Sequence, residues 1–192
     1  MSKKTAVVTG ANAGLGFAIS AALLQKDYRV VMACRNASKA DAARNRLLDQ
    51  VPGADVSVLP LDVSELDSVA AFAEQFAQQF GELELLINNA GIVAQPFTRN
   101  DAGHELQMAT NYLGNFALVG RLLPLFSAQR PGRIVNVGSL AHRFGKLPLD
   151  DMNWDKGDFR PMKGYARSKV ALLTFTQRCN RRMRCSAGSA AK

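Results

Sequence analysis

The feature that most constrains the fold is a glycine-rich turn near the start of the chain. Residues 9–16 read Thr-Gly-Ala-Asn-Ala-Gly-Leu-Gly, after an apolar β-branched run and before a segment of helical period. Glycines allow a sharp turn, let bare N–H groups approach a pyrophosphate, and seat the helix closely on a sheet. The turn therefore predicts a strand–turn–helix unit that binds a dinucleotide, with an ordinary tight turn as the alternative.

Apolar strand-like runs alternate with helical segments along the chain, which predicts an α/β fold with a Rossmann-like, doubly wound parallel sheet in three α/β/α layers. The predicted strands are residues 5–9, 29–34, 55–59, 83–88 and 133–137, and the predicted helices are 15–26, 39–50, 65–80, 114–129 and 163–183. Ser38 with Asp41 and Ser64 with Asp67 predict capping boxes at two helix starts. Residues 140–162 lack a period and predict a long loop. We expect one domain, residues 1–183, and a disordered basic tail, residues 184–192.

Basic residues are concentrated near the C-terminal end. The 192 residues carry a formal net charge of +8, but residues 159–192 hold nine Lys and Arg and no acid, and the other 15 basic residues meet 16 acids. Residues 1–158 are therefore almost neutral, and no aromatic ladder accompanies the basic residues of the C-terminal end. Both observations argue against nucleic acid as a partner. No secretory signal and no run of about eighteen apolar residues is present, so no membrane span is expected. Three cysteines outside any CxxC pair and two histidines predict reduced thiols, no metal site and a cytoplasmic location.

The end of the second predicted strand distinguishes NAD from NADP. An NAD site usually carries Asp or Glu there to hold the ribose 2′-hydroxyl, but no acidic residue lies between Asp27 and Asp41. Arg35 lies there instead and can pair with a 2′-phosphate in a charge-assisted contact. The sequence favours NADP over NAD, the alternative being a solvated arginine at the start of a loop.

Four further motifs accompany the glycine turn. They are Asn88-Asn89-Ala90-Gly91 after the fourth strand, Asn111 before the predicted long helix, Gly138-Ser139 after the fifth strand, and Tyr165-Ala-Arg-Ser-Lys169. Together they resemble the short-chain dehydrogenase/reductase family over residues 5 to about 178. The runs Cys34-Arg35-Asn36 and Ser139-Leu-Ala-His142, with the long loop before Tyr165, resemble its retinol-dehydrogenase-like branch in particular.

Tyr165 and Lys169 form the predicted proton-transfer pair. Residues four apart share a helix face, so the Lys169 ammonium can favour the ionised phenol of Tyr165, which then serves as acid and base near neutral pH. Ser139, at the carboxyl end of its strand, can donate a hydrogen bond to a substrate oxygen. The resemblance assigns Asn111 to a water-mediated proton relay behind Lys169. The predicted catalytic residues are Tyr165, Lys169, Ser139 and Asn111.

The resemblance also implies a set of cofactor contacts. In the family, the residue at Asn89 shapes the sheet beside the nicotinamide ribose, and the residue at Asp62 meets the adenine amino group. The expected cofactor-binding residues are Gly10, Asn12, Gly14, Leu15, Gly16, Arg35, Asn36, Asp62, Val63, Asn89, Ala90, Gly91, Tyr165 and Lys169.

These observations predict an NADP-dependent oxidoreductase that interconverts an alcohol with a ketone or aldehyde, and the resemblance implies a lipophilic or aromatic substrate. The alternative is a non-catalytic dinucleotide-binding or interaction module. Family members continue into another strand, a Pro-Gly turn and a substrate lid, whereas the sequence after Gln177 is rich in Arg, Ser, Ala and Cys. We therefore expect a chain truncated at its C-terminus that lacks the last strands of the family fold. The family's dimer interface, the long helix with the Tyr165 helix, leaves a homodimer open.

Overall fold

Five parallel strands form the sheet at the centre of this computed structural model, which describes residues 3–126 and 132–189, with side chains up to residue 181. The strands are β1 (Thr5–Thr9), β2 (Arg29–Cys34), β3 (Val56–Pro60), β4 (Leu85–Asn88) and β5 (Arg133–Asn136). Their order across the sheet is β3-β2-β1-β4-β5, and every neighbouring pair is parallel. This arrangement confirms the predicted doubly wound fold. The strand order reverses between β1 and β4, where open sheets of this kind bind ligands.

Helices cover both faces of the sheet. They are α1 (Gly14–Leu24), α2 (Ala37–Gln50), α3 (Leu66–Phe80), α4 (Leu106–Met108), α5 (Gly114–Leu122) and α6 (Pro161–Ser189). A π-helical turn (Ala109–Leu113) joins α4 to α5, and 3₁₀ turns span Leu123–Leu125 and Leu140–Phe144. Within the described parts of the chain, no helix combines the length and the apolar character needed to cross a bilayer.

Strand β1 is buried on both faces because its side chains alternate between two apolar clusters. Val7 packs with Phe72 of α3 and Leu118 of α5, whereas Val8 packs on the other face with Leu47 of α2. All five residues of β1 are buried. Such two-sided burial makes β1 the central strand and places the glycine turn that follows it in the middle of the sheet edge.

The helix predicted for residues 114–129 has a different form. Helical structure begins at Leu106, passes through the π-helical turn that contains Asn111, continues as α5 and ends in the 3₁₀ turn Leu123–Leu125. Pro124 has no N–H to extend the α-helical hydrogen bonds, which accounts for the early end. Residues 127–131, which include the rest of the predicted helix, lie outside the described residues.

Both predicted capping boxes are wrong. Helix α2 starts earlier than predicted, and its N-cap is Asn36, whose Oδ1 accepts a backbone N–H at 2.8 Å. Asn caps a helix as well as Ser does, which explains the earlier start. Helix α3 has Glu65 as N-cap without a side-chain cap, because the Ser64 hydroxyl donates to Asp62 Oδ1 at 2.6 Å instead.

Helix α6 continues beyond its predicted end at Met183 and includes Ser189, the last described residue. Residues 178–189 contain no proline, and their Arg, Met and Ala residues favour helix. Helical backbone therefore replaces the first part of the predicted disordered tail. Residues 190–192 lie outside the described residues, and their disorder stays a prediction.

Candidate active site

The glycine turn after β1 adopts a backbone that side chains would block. Gly10 has φ of +64°, in the left-handed region that favours glycine. A Cβ on Gly16 would lie 2.4 Å from the carbonyl oxygen of Gly10, so α1 could not approach the turn this closely with any other residue. No side chain caps α1, and its first helical hydrogen bond runs from Phe17 N–H to the Ala13 carbonyl at 3.2 Å. The preceding N–H groups therefore form a partly positive surface at the turn.

Hydrogen bonds tie the end of β4 to the end of β1. Thr9 Oγ1 accepts from the backbone N–H groups of Asn89 and Ala90 at 3.0 and 2.9 Å. The Asn89 side-chain amide donates to the Thr9 carbonyl at 2.9 Å. These bonds fix the loop after β4 beside the glycine turn.

A cavity of about 590 Å³ lies over these strand ends. The expected cofactor-binding residues that line it are Gly10, Asn12, Gly14, Arg35, Asp62, Val63, Asn89, Ala90 and Gly91. The lining does not include the expected residues Leu15, Gly16, Asn36, Tyr165 and Lys169. It does include residues that the sequence analysis missed, namely Ala13, Ala33, Leu61, Ile92, Gln95, Leu106 and Thr110. Most of these are small or apolar and have no sequence signal beyond proximity to a strand end.

Arg35 lies at the rim of this cavity. Its side chain is 73% exposed, and Nη1 is 3.4 Å from Asp62 Oδ2. Asp62 Oδ1 in turn accepts from the backbone N–H and the hydroxyl of Ser64, at 3.0 and 2.6 Å. An exposed ion pair of this length is weak, so the guanidinium remains available to an anion in the cavity.

Asn111 is fully buried, and both polar atoms of its side-chain amide form hydrogen bonds. Oδ1 accepts from Ile92 N–H at 2.9 Å, and Nδ2 donates to the Ile92 carbonyl and to Ser168 Oγ, both at 2.9 Å. The Ser168 hydroxyl donates to the carbonyl of Tyr165 at 2.7 Å. Asn111 therefore holds the loop after β4 and helix α6 together, and its expected part in a proton relay stays a prediction.

Lys169 brings a buried cation into the same region. The residue is 6% exposed, and Nζ donates to the Val137 carbonyl at 2.9 Å. A Cβ built on Gly91 would lie 3.0 Å from Asn111 Oδ1 and 3.7 Å from Lys169 Nζ, so these two side chains meet at Gly91. Burial lowers the pKa of Lys169 below its usual value. The ammonium lies 5.8 Å from the centroid of the partly buried Tyr165 ring.

Ser139 lies just beyond β5, where the sequence predicted it. Its hydroxyl oxygen accepts from Ala141 N–H at 3.2 Å and caps the 3₁₀ turn that follows. Ser139 and Lys169 line a second cavity, of about 370 Å³, together with His142 and the apolar side chain of Leu172. Ser139 and Lys169 therefore line the same cavity.

A polar chain that the sequence analysis missed connects the sheet to α6. Asn88 Nδ2 donates to Asn136 Oδ1 at 2.7 Å, and Asn136 Nδ2 donates to Thr176 Oγ1 at 2.9 Å. An asparagine at the end of an apolar strand is the only signal that could have indicated Asn136. Its partners are 48 and 40 positions away, so the contact depends on the fold.

Comparisons with known proteins show which family and which solved folds the chain resembles. A family model described as short chain dehydrogenase matches residues 4–150. Retinol dehydrogenase 13 of Homo sapiens is 34% identical over 183 residues, which are 95% of this chain and 55% of that protein. The chain thus spans little more than half the length of the curated relatives it matches.

Solved structures match the fold over nearly the whole chain. A protein from Mycobacterium paratuberculosis has a TM-score of 0.86 at 37% identity, covering 97% of this chain and 65% of its own. A metagenomic short-chain oxidoreductase in complex with NADP has a TM-score of 0.76 at 27% identity, covering 96% of this chain and 78% of its own.

Proposed function

Because this chain belongs to the short-chain dehydrogenase/reductase family, we propose that it is an NADP-dependent oxidoreductase that interconverts an apolar alcohol and its aldehyde or ketone. The observation that carries the proposal is the environment of Lys169. Within the described residues, this buried ammonium forms no ion pair with a carboxylate, and it lies beside the ring of Tyr165. A poorly solvated cation in this position favours a hydrogen-bonding oxygen beside it.

In the proposed reaction, Tyr165 takes the hydroxyl proton of the alcohol during oxidation and returns it during reduction. Lys169 stabilises the ionised phenol, and its bond to Val137 fixes the position of the ammonium. Ser139 donates a hydrogen bond to the substrate oxygen. Asn111 holds α6 in place and supports the proton relay. Bound NADP supplies the hydride acceptor, or the hydride donor when it is reduced.

The cavity over the glycine turn supports NADP as the cofactor. It offers about 590 Å³, uncapped N–H groups at the start of α1, and a close approach that a Cβ at Gly16 would prevent. Arg35, rather than an acid, occupies the position after β2. The similar oxidoreductase that was solved in complex with NADP also favours NADP as the cofactor.

We expect Arg35→Glu to weaken NADPH binding by about tenfold or more, because a charged hydrogen bond to the 2′-phosphate is lost and a repulsion is gained. NADH, which lacks that phosphate, should bind no more weakly than before. Calorimetric titration of both cofactors against both proteins measures the change. An equal loss of affinity for NADH and NADPH would indicate that Arg35 supports the fold instead of binding the 2′-phosphate.

The cavity beside Ser139 supports an apolar substrate. Leu140, Leu172 and Leu173 line it, and Leu140 is 75% exposed. The relatives named retinol dehydrogenase act, by that name, on retinol. An assay panel of aromatic and long-chain aldehydes and ketones therefore suits this chain.

The test of the proposed function is NADPH oxidation with this panel by the wild type, Tyr165→Phe and Tyr28→Phe. Each variant removes one phenolic hydroxyl. Tyr28, however, lies between α1 and β2 and packs against the apolar cluster that contains Val8 and Leu47. We expect Tyr165→Phe to lower kcat by about 10²–10⁴-fold and Tyr28→Phe to resemble the wild type. If the wild type and Tyr165→Phe are equally inert while both bind NADPH, the chain is a non-catalytic binding module.

A further inference from the structure

A third cavity, of about 370 Å³, lies between the loop after β5 and the first turns of α6. Its lining residues are Phe144, Gly145, Lys146, Pro148, Trp154, Lys163 and Arg167. It shares no lining residue with the cavity over the glycine turn or with the cavity beside Ser139. The proposed reaction therefore leaves this space unused.

All the ionisable side chains that line this cavity are cationic. Lys146 and Lys163 are exposed, and neither forms an ion pair within the described part of the chain. Lys163 also lies in the first turn of α6, where the helix dipole adds positive potential. The cavity is thus suited to an anion.

Arg167 is a buried side chain of this cavity. It is 7% exposed, and its guanidinium stacks on the Trp154 ring, with Cζ 3.6 Å from the ring centroid. Nη1 donates to the Asp151 carbonyl at 2.6 Å, and this is the one hydrogen bond that the guanidinium forms with described residues. Asp151 and Glu105 lie near enough to favour its charge, but neither carboxylate lines the cavity. Unused N–H donors on a poorly solvated cation favour an anionic ligand with oxygen acceptors.

The remaining walls are apolar. Trp154 and Phe144 contribute aromatic rings, and Pro148 contributes an aliphatic ring. An inorganic anion would gain nothing from these surfaces, whereas a flat organic anion would bury apolar area against them. Cavities of about this volume hold small organic ligands.

We propose that this cavity binds a small organic carboxylate with a flat apolar body. The carboxylate pairs with Arg167 and the two lysines, and the body packs against Trp154 and Phe144. This site is separate from the proposed substrate and cofactor sites, and its occupancy requires neither NADP nor hydride transfer.

Trp154 gives a direct readout because it is the single tryptophan of the chain. We expect 4-iodobenzoate, whose iodine quenches indole emission, to quench the fluorescence of the NADPH-free protein saturably. The neutral isostere 4-iodobenzamide should bind about tenfold more weakly or worse, because it cannot form the charged contacts. Equal or unsaturable quenching by both compounds would overturn the proposal.

Matched charge variants locate the site. The double variant Lys146→Gln/Lys163→Gln should weaken 4-iodobenzoate binding by about tenfold, whereas Lys26→Gln/Lys39→Gln, two exposed lysines elsewhere, should leave it unchanged. Arg167→Met should abolish saturable quenching, with its fold checked by circular dichroism. If Arg167→Met does not fold, the two lysine variants decide the question, and equal affinities in both would refute the site. None of these measurements depends on the result for Tyr165→Phe.

Discussion

In the proposed reaction, Lys169 is a buried and charged side chain beside Tyr165. Removal from water disfavours the ammonium, and the bond to the Val137 carbonyl offsets only part of that cost, as the lowered pKa of Lys169 indicates. A residue chosen for stability alone would be apolar at this position. The burial of Lys169 supports its proposed role.

The variant Lys169→Met distinguishes a role of Lys169 in activity from a role in stability. We expect it to lose catalytic activity without becoming less stable at pH 7, because the cost of the buried charge is removed. At pH values below the lowered pKa of Lys169, both the folded and the unfolded wild type carry the proton, and the folded state bears the full cost. As the pH rises towards the usual lysine pKa, the unfolded state binds more protons than the folded state, so wild-type stability rises relative to the variant. Urea unfolding of both proteins at pH 7 and 9.5 measures this difference, and a pH-independent difference would contradict the assignment.

The sequence predicted which residues form the candidate site better than it predicted the hydrogen-bond partners of those residues. The helix spacing of Tyr165 and Lys169 and the lack of an acid after β2 are local signals, and both are visible in the chain. The bonds of Asn111 are not local, because its partners Ile92 and Ser168 are 19 and 57 positions away. Its role in holding α6 could be seen only in the fold.

Among the elements, α1 depends most directly on a single residue. Gly16 is buried and faces the Gly10 carbonyl and the Asn89 side chain. Helical glycine is normally a weakness of about 0.5–1 kcal/mol relative to alanine. Here the close approach of α1 to the turn outweighs that weakness.

We therefore expect opposite effects of alanine at two helical glycines. Gly16→Ala should destabilise the protein and weaken NADPH binding, because the new Cβ would lie 2.4 Å from the Gly10 oxygen and α1 must shift. Gly120→Ala in α5 should stabilise by about 0.5–1 kcal/mol, because its Cβ meets nothing within 4 Å. Thermal melts with and without NADPH measure both effects. Two variants of equal stability would show that α1 adjusts freely around the turn.

Local patterns predicted the central elements well and the connections less well. The predicted bounds of β1 and β2 match the structure because each strand has an apolar centre, and Gly10 or Arg35 follows its last residue. The π-helical turn around Asn111 has no sequence signature, since its shape follows from the bonds of Asn111 to a distant loop and helix. The predicted helix caps were wrong because Asn36, rather than Ser38, caps α2 and because the Ser64 hydroxyl bonds to Asp62. A sequence pattern does not rank such competing hydrogen-bond partners.

At the scale of the whole molecule, we consider two exposed surfaces as candidate contacts between copies of the chain. Strand β5 pairs only with β4 among the described residues, so its other edge carries unpaired backbone groups, and Val135 on it is 39% exposed. On the helical side, Phe116 of α5 is 52% exposed and packs edge-on against Phe175 of α6, with ring centroids 5.1 Å apart. The homodimer through these helices remains a proposal.

Two surface variants distinguish these modes of association. An exposed lysine on an edge strand opposes strand pairing, so Val135→Lys should suppress open-ended association and leave a helix-mediated dimer intact. Phe116→Glu places a charge in the aromatic contact and should break such a dimer while edge association persists. Light scattering after size-exclusion chromatography, over a hundredfold range of concentration, measures both. Edge pairing is open-ended and gives a mass that keeps rising with concentration, whereas an interface made by the same helices on both copies closes at two chains. A wild type whose mass stays constant at one chain over this range would exclude both surfaces as contacts between copies.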